Sequence, residues 1–316
     1  MTDSNSDSME RRVESYLALR RKLGYVLKAP GDLLLNFARY ADAIGHRGAL
    51  TSDLAVRWAK LPPKASPNQW ARRLSIIRQF ARHEMAFDLE TQIPPARLLG
   101  TARRRVQPHI YSDHEIGTLL RAAEELAPVD SLRPRTYSTL IGLLAATGLR
   151  VSEALRLNRA EVDFTSGVLT ISKTKFHKSR LVPVHPSTTR ALQSYAEHRD
   201  HYCRVPKSNA FFLSNLGTRP KYRTLNGAFV KLRNRLGWAG NGTRRAPRLG
   251  DLRHSFACRR LLAWYREGGD IDVKLPTLST YLGHVGVTHT YWYLTAIPEL
   301  MAIVSARFEH NPKERK

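Results

Sequence analysis

The chain has 316 residues, enough for two domains that each bury a core, and its 42% hydrophobic and 25% charged residues exclude an intrinsically disordered protein. Its 51 Lys and Arg against 27 Asp and Glu give a formal charge of +24, the electrostatic footprint of a polyanionic partner, most simply nucleic acid. Two cysteines, Cys203 and Cys258, without a Cys-x-x-Cys pair or a Cys/His cluster argue against a disulfide framework and a zinc site.

The opening segment, TDSNSDS, is polar and acidic with no apolar signal region, and no apolar run approaches the roughly 18 residues of a membrane span. The expected compartment is the cytoplasm, with no membrane partner. Residues 10–23 form a helical pattern in Val13, Tyr16, Leu19 and Leu23, closed by Gly24. Residues 32–44 repeat the pattern with Leu34, Leu35 and Ala38. Thr51-Ser52-Asp53 offers capping side chains for a short helix through Trp58, ahead of Pro62-Pro63. Residues 67–85 place Trp70, Leu74, Ile77 and Ala81 on a buried stripe and Arg72, Arg73, Arg78 and Arg82 elsewhere. A basic helix face is usually only solvated; in a chain of this charge it points to DNA. Pro94-Pro95 ends the helical region. The basic, unpatterned stretch that follows, with Arg103, Arg104 and Arg105, reads as an interdomain linker lying along phosphates.

The second half opens with Ser112 and Glu115 as a capping box for a helix to about residue 126. Residues 135–147 form an apolar, buried helix that Gly148 ends. Gly148-Leu149-Arg150 then presents an arginine at the start of the next helix, with Glu153 placed to hold it; such an arginine suits a bidentate grip on phosphate. Residues 168–172 and 180–184 alternate as strands of a hairpin whose connection is rich in cations, Lys175 and Lys178 among them. Helices follow at 186–198 and 224–236. Arg253 falls in the first turn of a further helix, where the dipole favours an anion. Near the C-terminus Gly283-His284 precedes Tyr293 by nine residues.

In order, Gly-Leu-Arg-x-Ser-Glu at 148–153, Lys-x-x-Lys-x-Arg-Leu-Val-Pro at 175–183, Leu-Arg-His-Ser-Phe-Ala at 252–257, and Leu-Gly-His with Tyr nine residues on resemble the tyrosine recombinase, or phage integrase, family. The resemblance covers residues 111–300 closely and the first hundred more loosely. It implies a mostly α fold with a small antiparallel β-sheet, as a two-domain, C-shaped clamp on DNA. The expected division is a helical core-binding domain at 1–100, a linker at 101–110 and a catalytic domain at 111–316. It further implies that Arg150 and Arg253 clamp the scissile phosphate and that Lys175, with Lys178 as the weaker candidate, protonates the departing 5′ oxygen. His284 would hydrogen-bond the phosphate and Tyr293 would attack it; Tyr291 is the nearest rival but sits two residues short. Such chemistry needs no metal and no cofactor. The implied partners are double-stranded DNA recombination sites and three further copies of the chain, joined through an amphipathic tail at 298–316, with or without a partner recombinase.

One position departs from the family pattern. Three residues before the second arginine, where the family usually carries a histidine that takes or shares the tyrosine's proton, this chain has Gly250. Water or the phosphate could take that proton, His254 or Arg248 could compensate, or the enzyme could be slow or disabled. Loss of one proton-transfer helper lowers a rate by ~10²–10⁴-fold without removing the chemistry, so an active enzyme is the expectation. The alternatives are a catalytically weak DNA-binding homologue, which would form no adduct, and a type IB topoisomerase-like activity.

Overall fold

A computed structural model describes residues 8–100, 107–172, 179–240, 245–268, 270–284, 286, 288 and 290. The chain divides into two compact units, Met1–Arg105 and Val106–Lys316.

The described residues of the first unit form four helices: α1 (Met9–Lys22), α2 (Lys28–Ala43), α3 (Ser52–Lys60) and α4 (Pro67–Glu84). Their starts follow local capping chemistry. Ser8 accepts from the Arg11 amide, and the Asp42 carboxylate, reaching from the end of α2, accepts from the Met9 and Glu10 amides at 2.9 and 3.0 Å. Ser66 and Gln69 form a reciprocal capping box on α4, with Pro67 in its first turn. The core gathers Val13, Leu17, Phe37, Leu54, Trp58, Leu74, Ile77 and Phe80.

Two expectations shift. The stripe of α1 runs through Met9, Val13, Tyr16 and Leu17, while Leu19 and Leu23 face solvent, because the buried face follows i, i+4, i+7, i+8 and Leu19 falls off it. Helix α2 begins four residues before the expected Asp32; Pro30 is accommodated because first-turn amides have no intrahelical partner to lose.

The second unit carries α5 (Asp113–Glu124), α6 (Leu132–Thr147), α7 (Val151–Arg156), a 3₁₀ turn (Arg159–Glu161), a three-stranded antiparallel sheet, α8 (Pro186–Tyr202), α9 (Tyr222–Arg235), α10 (Asp251–Arg266) and α11 (Ile271–Leu282). The strands β1 (Val162–Asp163), β2 (Val168–Ile171) and β3 (Arg180–Pro183) lie in the order β1-β2-β3, with Leu169 opposite Val182 and Ile171 opposite Arg180. The predicted hairpin is therefore β2–β3; the two-residue β1 is too short to leave a periodic signal. The mostly α architecture with a small antiparallel sheet matches the expectation.

The main core of this unit packs α5, α6, α8, α9 and the sheet around Leu140, Leu144, Leu169, Val182, Phe211 and Phe229. A smaller cluster, Cys258, Leu261, Leu275, Leu278 and Leu282, joins α10 to α11. Tyr111 ties the two regions: its amide donates to Ser255 Oγ at 2.8 Å and its hydroxyl to the Arg248 carbonyl. Burial, aided by the charges of Asp251 and Glu115, raises that phenol well above its ordinary range.

Candidate active site

Gly148 closes α6 in the left-handed region at φ 63°. A Cβ there would lie 2.6 Å from Phe256 Cδ1, so both the backbone turn and the space require glycine. Two residues on, Arg150 stands at the start of α7. Its Nη1 donates to Glu153 Oε1 at 2.7 Å, its backbone amide to Oε2 at 3.0 Å, and its Nη2 to the Gly283 carbonyl at 2.8 Å. Arg253, in the first turn of α10 and 9% exposed, donates from Nη1 to the Gly148 carbonyl and from Nη2 to the Leu282 carbonyl, at 2.8 and 2.7 Å. The two arginines, 103 residues apart in sequence, therefore hold the carbonyls of consecutive residues, 282 and 283. His284 follows immediately. Its amide donates to the Ser279 carbonyl and its Nδ1 pairs with Thr290 Oγ1 at 2.8 Å, which fixes the ring.

A third guanidinium, Arg180 at the start of β3, completes the cluster. It donates to both Glu153 oxygens, at 3.2 and 2.8 Å, and from Nε to the Tyr281 carbonyl at 2.8 Å. Burial alone would raise the Glu153 carboxyl; the hydrogen bond and charge of Arg180, then the backbone and side-chain hydrogen bonds of Arg150, outweigh it and hold it down at about 2. This folded value lies below the unfolded 4.5, so the carboxylate contributes stability that is complete above about pH 4.5 and is lost as the pH falls toward 2. The expected size is about 3 kcal/mol. Denaturant titrations of the wild type and Glu153→Gln across that window check it: the variant is destabilised at neutral pH and shows a smaller acid-dependent loss.

Sequence reading missed Arg180 as a site residue, although the quoted motif contains it. The signal was available in strand alternation. Arg180 shares the inward face of β3 with the fully buried Val182, while Leu181 is exposed, and a charged residue on an inward face requires a partner.

Gly250, just before α10, has ordinary helical φ and ψ of −65° and −20°, and a Cβ there would meet nothing within 4 Å. Neither strain nor crowding explains the glycine. Of the two proposed substitutes, Arg248 pairs with Asp251 through its amide and Nη2, at 2.9 and 3.0 Å. His254 is lowered first by burial, then by Arg253 and Arg248, with Asp251 opposing. Tyr281 is not a competing nucleophile. Burial pushes its phenol up to about 12, it stacks on Phe256, and its hydroxyl donates to the Pro183 carbonyl.

Lys175, Lys178 and Tyr293 lie outside the described residues, as do Arg103, Arg104, Arg105, the rival Tyr291 and the tail at 298–316. In the first unit Arg72 and Arg82 are exposed. Arg73 instead lies 3.6 Å over the Trp58 ring and donates to the Trp58 carbonyl at 2.9 Å, and Arg78 donates to the carbonyls of Pro94 and Pro95. Burial lowers both guanidiniums. Among the described residues no group of three or more His, Cys, Asp or Glu is placed to hold a metal ion, and no helix is long and apolar enough to cross a membrane.

The model of the phage integrase family matches residues 111–299. A putative integrase/recombinase, y4rB, of Sinorhizobium fredii (strain NBRC 101917 / NGR234) is 41% identical over 312 residues, covering 98% of this chain and 99% of the relative. The tyrosine recombinase XerC of Chlamydia trachomatis serovar L2 is 31% identical over 222 residues, 70% of this chain and 65% of that protein. Among solved structures, the Tn1549 transposon integrase in complex with transposon right end DNA shares the fold at a TM-score of 0.71 and 16% identity, covering 96% of this chain and 99% of that one. The XerH site-specific recombinase bound to a palindromic difH substrate does so at 0.63 and 17%, covering 88% and 78%. With whole-length similarity to a recombinase and a family match over the unit that holds the arginine cluster, the chain belongs to the phage integrase family, the tyrosine recombinases, and is a site-specific DNA recombinase.

Proposed function

We propose that this recombinase cuts and rejoins duplex DNA at specific sites through a 3′-phosphotyrosine on Tyr293, in the integration, excision or resolution of a mobile element or replicon. The observation that supports this most is the convergence of Arg150 and Arg253 on consecutive carbonyls directly before His284. Among the described residues, Arg150, Arg180 and Arg253 gather around the Glu153 carboxylate and the carbonyls of 282 and 283, a half-buried cluster suited to the charge on the non-bridging oxygens of a scissile phosphate. Tyr293 Oη loses its proton to water or to the phosphate and forms the new bond to phosphorus while the bond to the 5′ oxygen breaks, and Lys175 delivers a proton to that oxygen. The phosphodiester energy is kept in the phosphotyrosine, and a 5′-hydroxyl from another strand reverses the step. Arg150, Arg253 and His284 act on the phosphate in both directions.

In this reading the first unit binds DNA, the basic stretch at 101–110 tracks phosphates, and four copies assemble on two duplexes through the C-terminal tail, in the cytoplasm. Arg72 and Arg82 are the helix arginines turned to DNA. Replacing both by Gln should weaken binding at all sequences and reduce the slope of log affinity against log salt by about 2. Arg78→Gln, which strips two carbonyls of their donor, should instead lower stability by about 1–2 kcal/mol with little change in that slope. Parallel binding titrations and thermal melts distinguish the two.

The function itself is tested by trapping protein on a nicked half-site from a candidate recombination site and mapping the DNA-linked peptide by mass spectrometry. A phosphotyrosine at residue 293 is expected. Tight, site-specific binding without any adduct would reduce the protein to a DNA-binding homologue.

A further inference from the structure

We infer that Arg180 is a positioning residue for recombination, locking Arg150 and His284 into one register without touching DNA itself. All three of its guanidinium nitrogens are engaged: Nε with the Tyr281 carbonyl, Nη1 and Nη2 with Glu153. Its side chain is 11% exposed, against 36% for Arg150, so it lies beneath the cluster that faces outward. Glu153, 3% exposed, is the shared carboxylate between the two arginines.

Gly283 shows how tightly the parts fit. It sits at φ 66°, and a Cβ built on it would lie 2.7 Å from Arg180 Nη1 and 2.9 Å from Arg180 Cζ. The guanidinium therefore packs against the backbone turn that presents His284, while the Gly283 carbonyl accepts from Arg150. One planar group thus fastens the base of the β2–β3 hairpin, the first turn of α7 and the end of α11. A guanidinium can fork onto a carboxylate and still reach a carbonyl at an angle; an ammonium of the same charge cannot hold that geometry. This inference rests on the reading that Arg150 and His284 act on the scissile phosphate.

Arg180→Lys and Arg180→Met should both bind half-site DNA within about threefold of wild type, yet form the covalent adduct about 10²-fold more slowly, the penalty of misplacing catalytic groups by about an ångström. A scissile methylphosphonate removes one non-bridging charge and so relaxes the demand for aligned cations. On that substrate the deficit should shrink to below about tenfold. A purely structural defect would slow both substrates equally, in proportion to the fraction of folded protein. Gly283→Ala provides a second route: it leaves every charge in place while crowding Arg180 and straining the left-handed turn at 283 that Arg180 packs against, and it should reproduce the same pattern.

Wild-type rates in Arg180→Lys or in Gly283→Ala would overturn the inference, as would an equal loss on both substrates. Arg150→Ala is run alongside. If it too reacts at the wild-type rate, the phosphate-clamp reading fails; if it is impaired while the Arg180 variants are not, the Arg180 inference alone fails.

Discussion

Tyr293→Phe is expected to bind recombination-site DNA with wild-type affinity and to form no covalent adduct, a loss on the order of 10⁴-fold or more, because no second phenol stands at the required spacing from His284. Tyr291→Phe, two residues away, should retain the adduct, and Tyr281→Phe should retain it with reduced stability from the lost bond to the Pro183 carbonyl. The reason for so sharp a difference is chemical. A phenol ionises near pH 10, far below an aliphatic alcohol, so the phosphotyrosine is both accessible and reversible. Phenylalanine preserves the ring and its packing and deletes only the attacking oxygen. Single-turnover trapping on nicked half-sites, resolved under denaturing conditions, reads the result. An adduct persisting in Tyr293→Phe would move the nucleophile elsewhere.

Much of this site was legible in the sequence because its components are local signals repeated in a fixed order. Gly148 ending α6, Arg150 opening α7 with Glu153 three residues on, and Arg253 in the first turn of α10 each combine a helix terminus with the residue that terminus positions. What periodicity could not supply was the way these termini are joined. The carbonyls of Gly148, Tyr281, Leu282 and Gly283 hold the arginines, and backbone acceptors leave no mark in a sequence. Strand alternation marked Arg180 as needing a partner but could not name one, since Glu153 and Tyr281 are remote from it in the chain.

In the first unit the helices were legible from their apolar spacing, but not the use made of the arginines between them. Arg73 and Arg78 carry the same letter as Arg72 and Arg82, yet fold back onto Trp58, Pro94 and Pro95. Helix α11 went unread because Pro276 lies inside it and interrupts the pattern that would have announced it.

Gly250→His is expected to raise the rate of adduct formation by about 10²-fold with DNA affinity unchanged, because it adds a proton acceptor at the family's histidine position beside the groups proposed to bind the phosphate. The position tolerates it. Its backbone is already in the right-handed helical region, and a Cβ built there meets nothing within 4 Å, so stability should change by no more than about 1 kcal/mol, in the favourable direction expected when a glycine is replaced without strain. The pH profile carries the mechanistic content. In the wild type no imidazole stands at the family position, so the rate should climb with pH as solvent takes the proton of the attacking phenol more readily. With histidine at 250 the climb should level off once the imidazole is neutral, since it then takes the proton at any higher pH. A Gly250→Ala control fills the same first carbon without adding a base and should keep the wild-type profile. If Gly250→His brings neither a faster reaction nor a flattened profile while Gly250→Ala behaves as wild type, the proton is already leaving by another route, and His254 and Arg248, flanking the gap, become the residues to replace next.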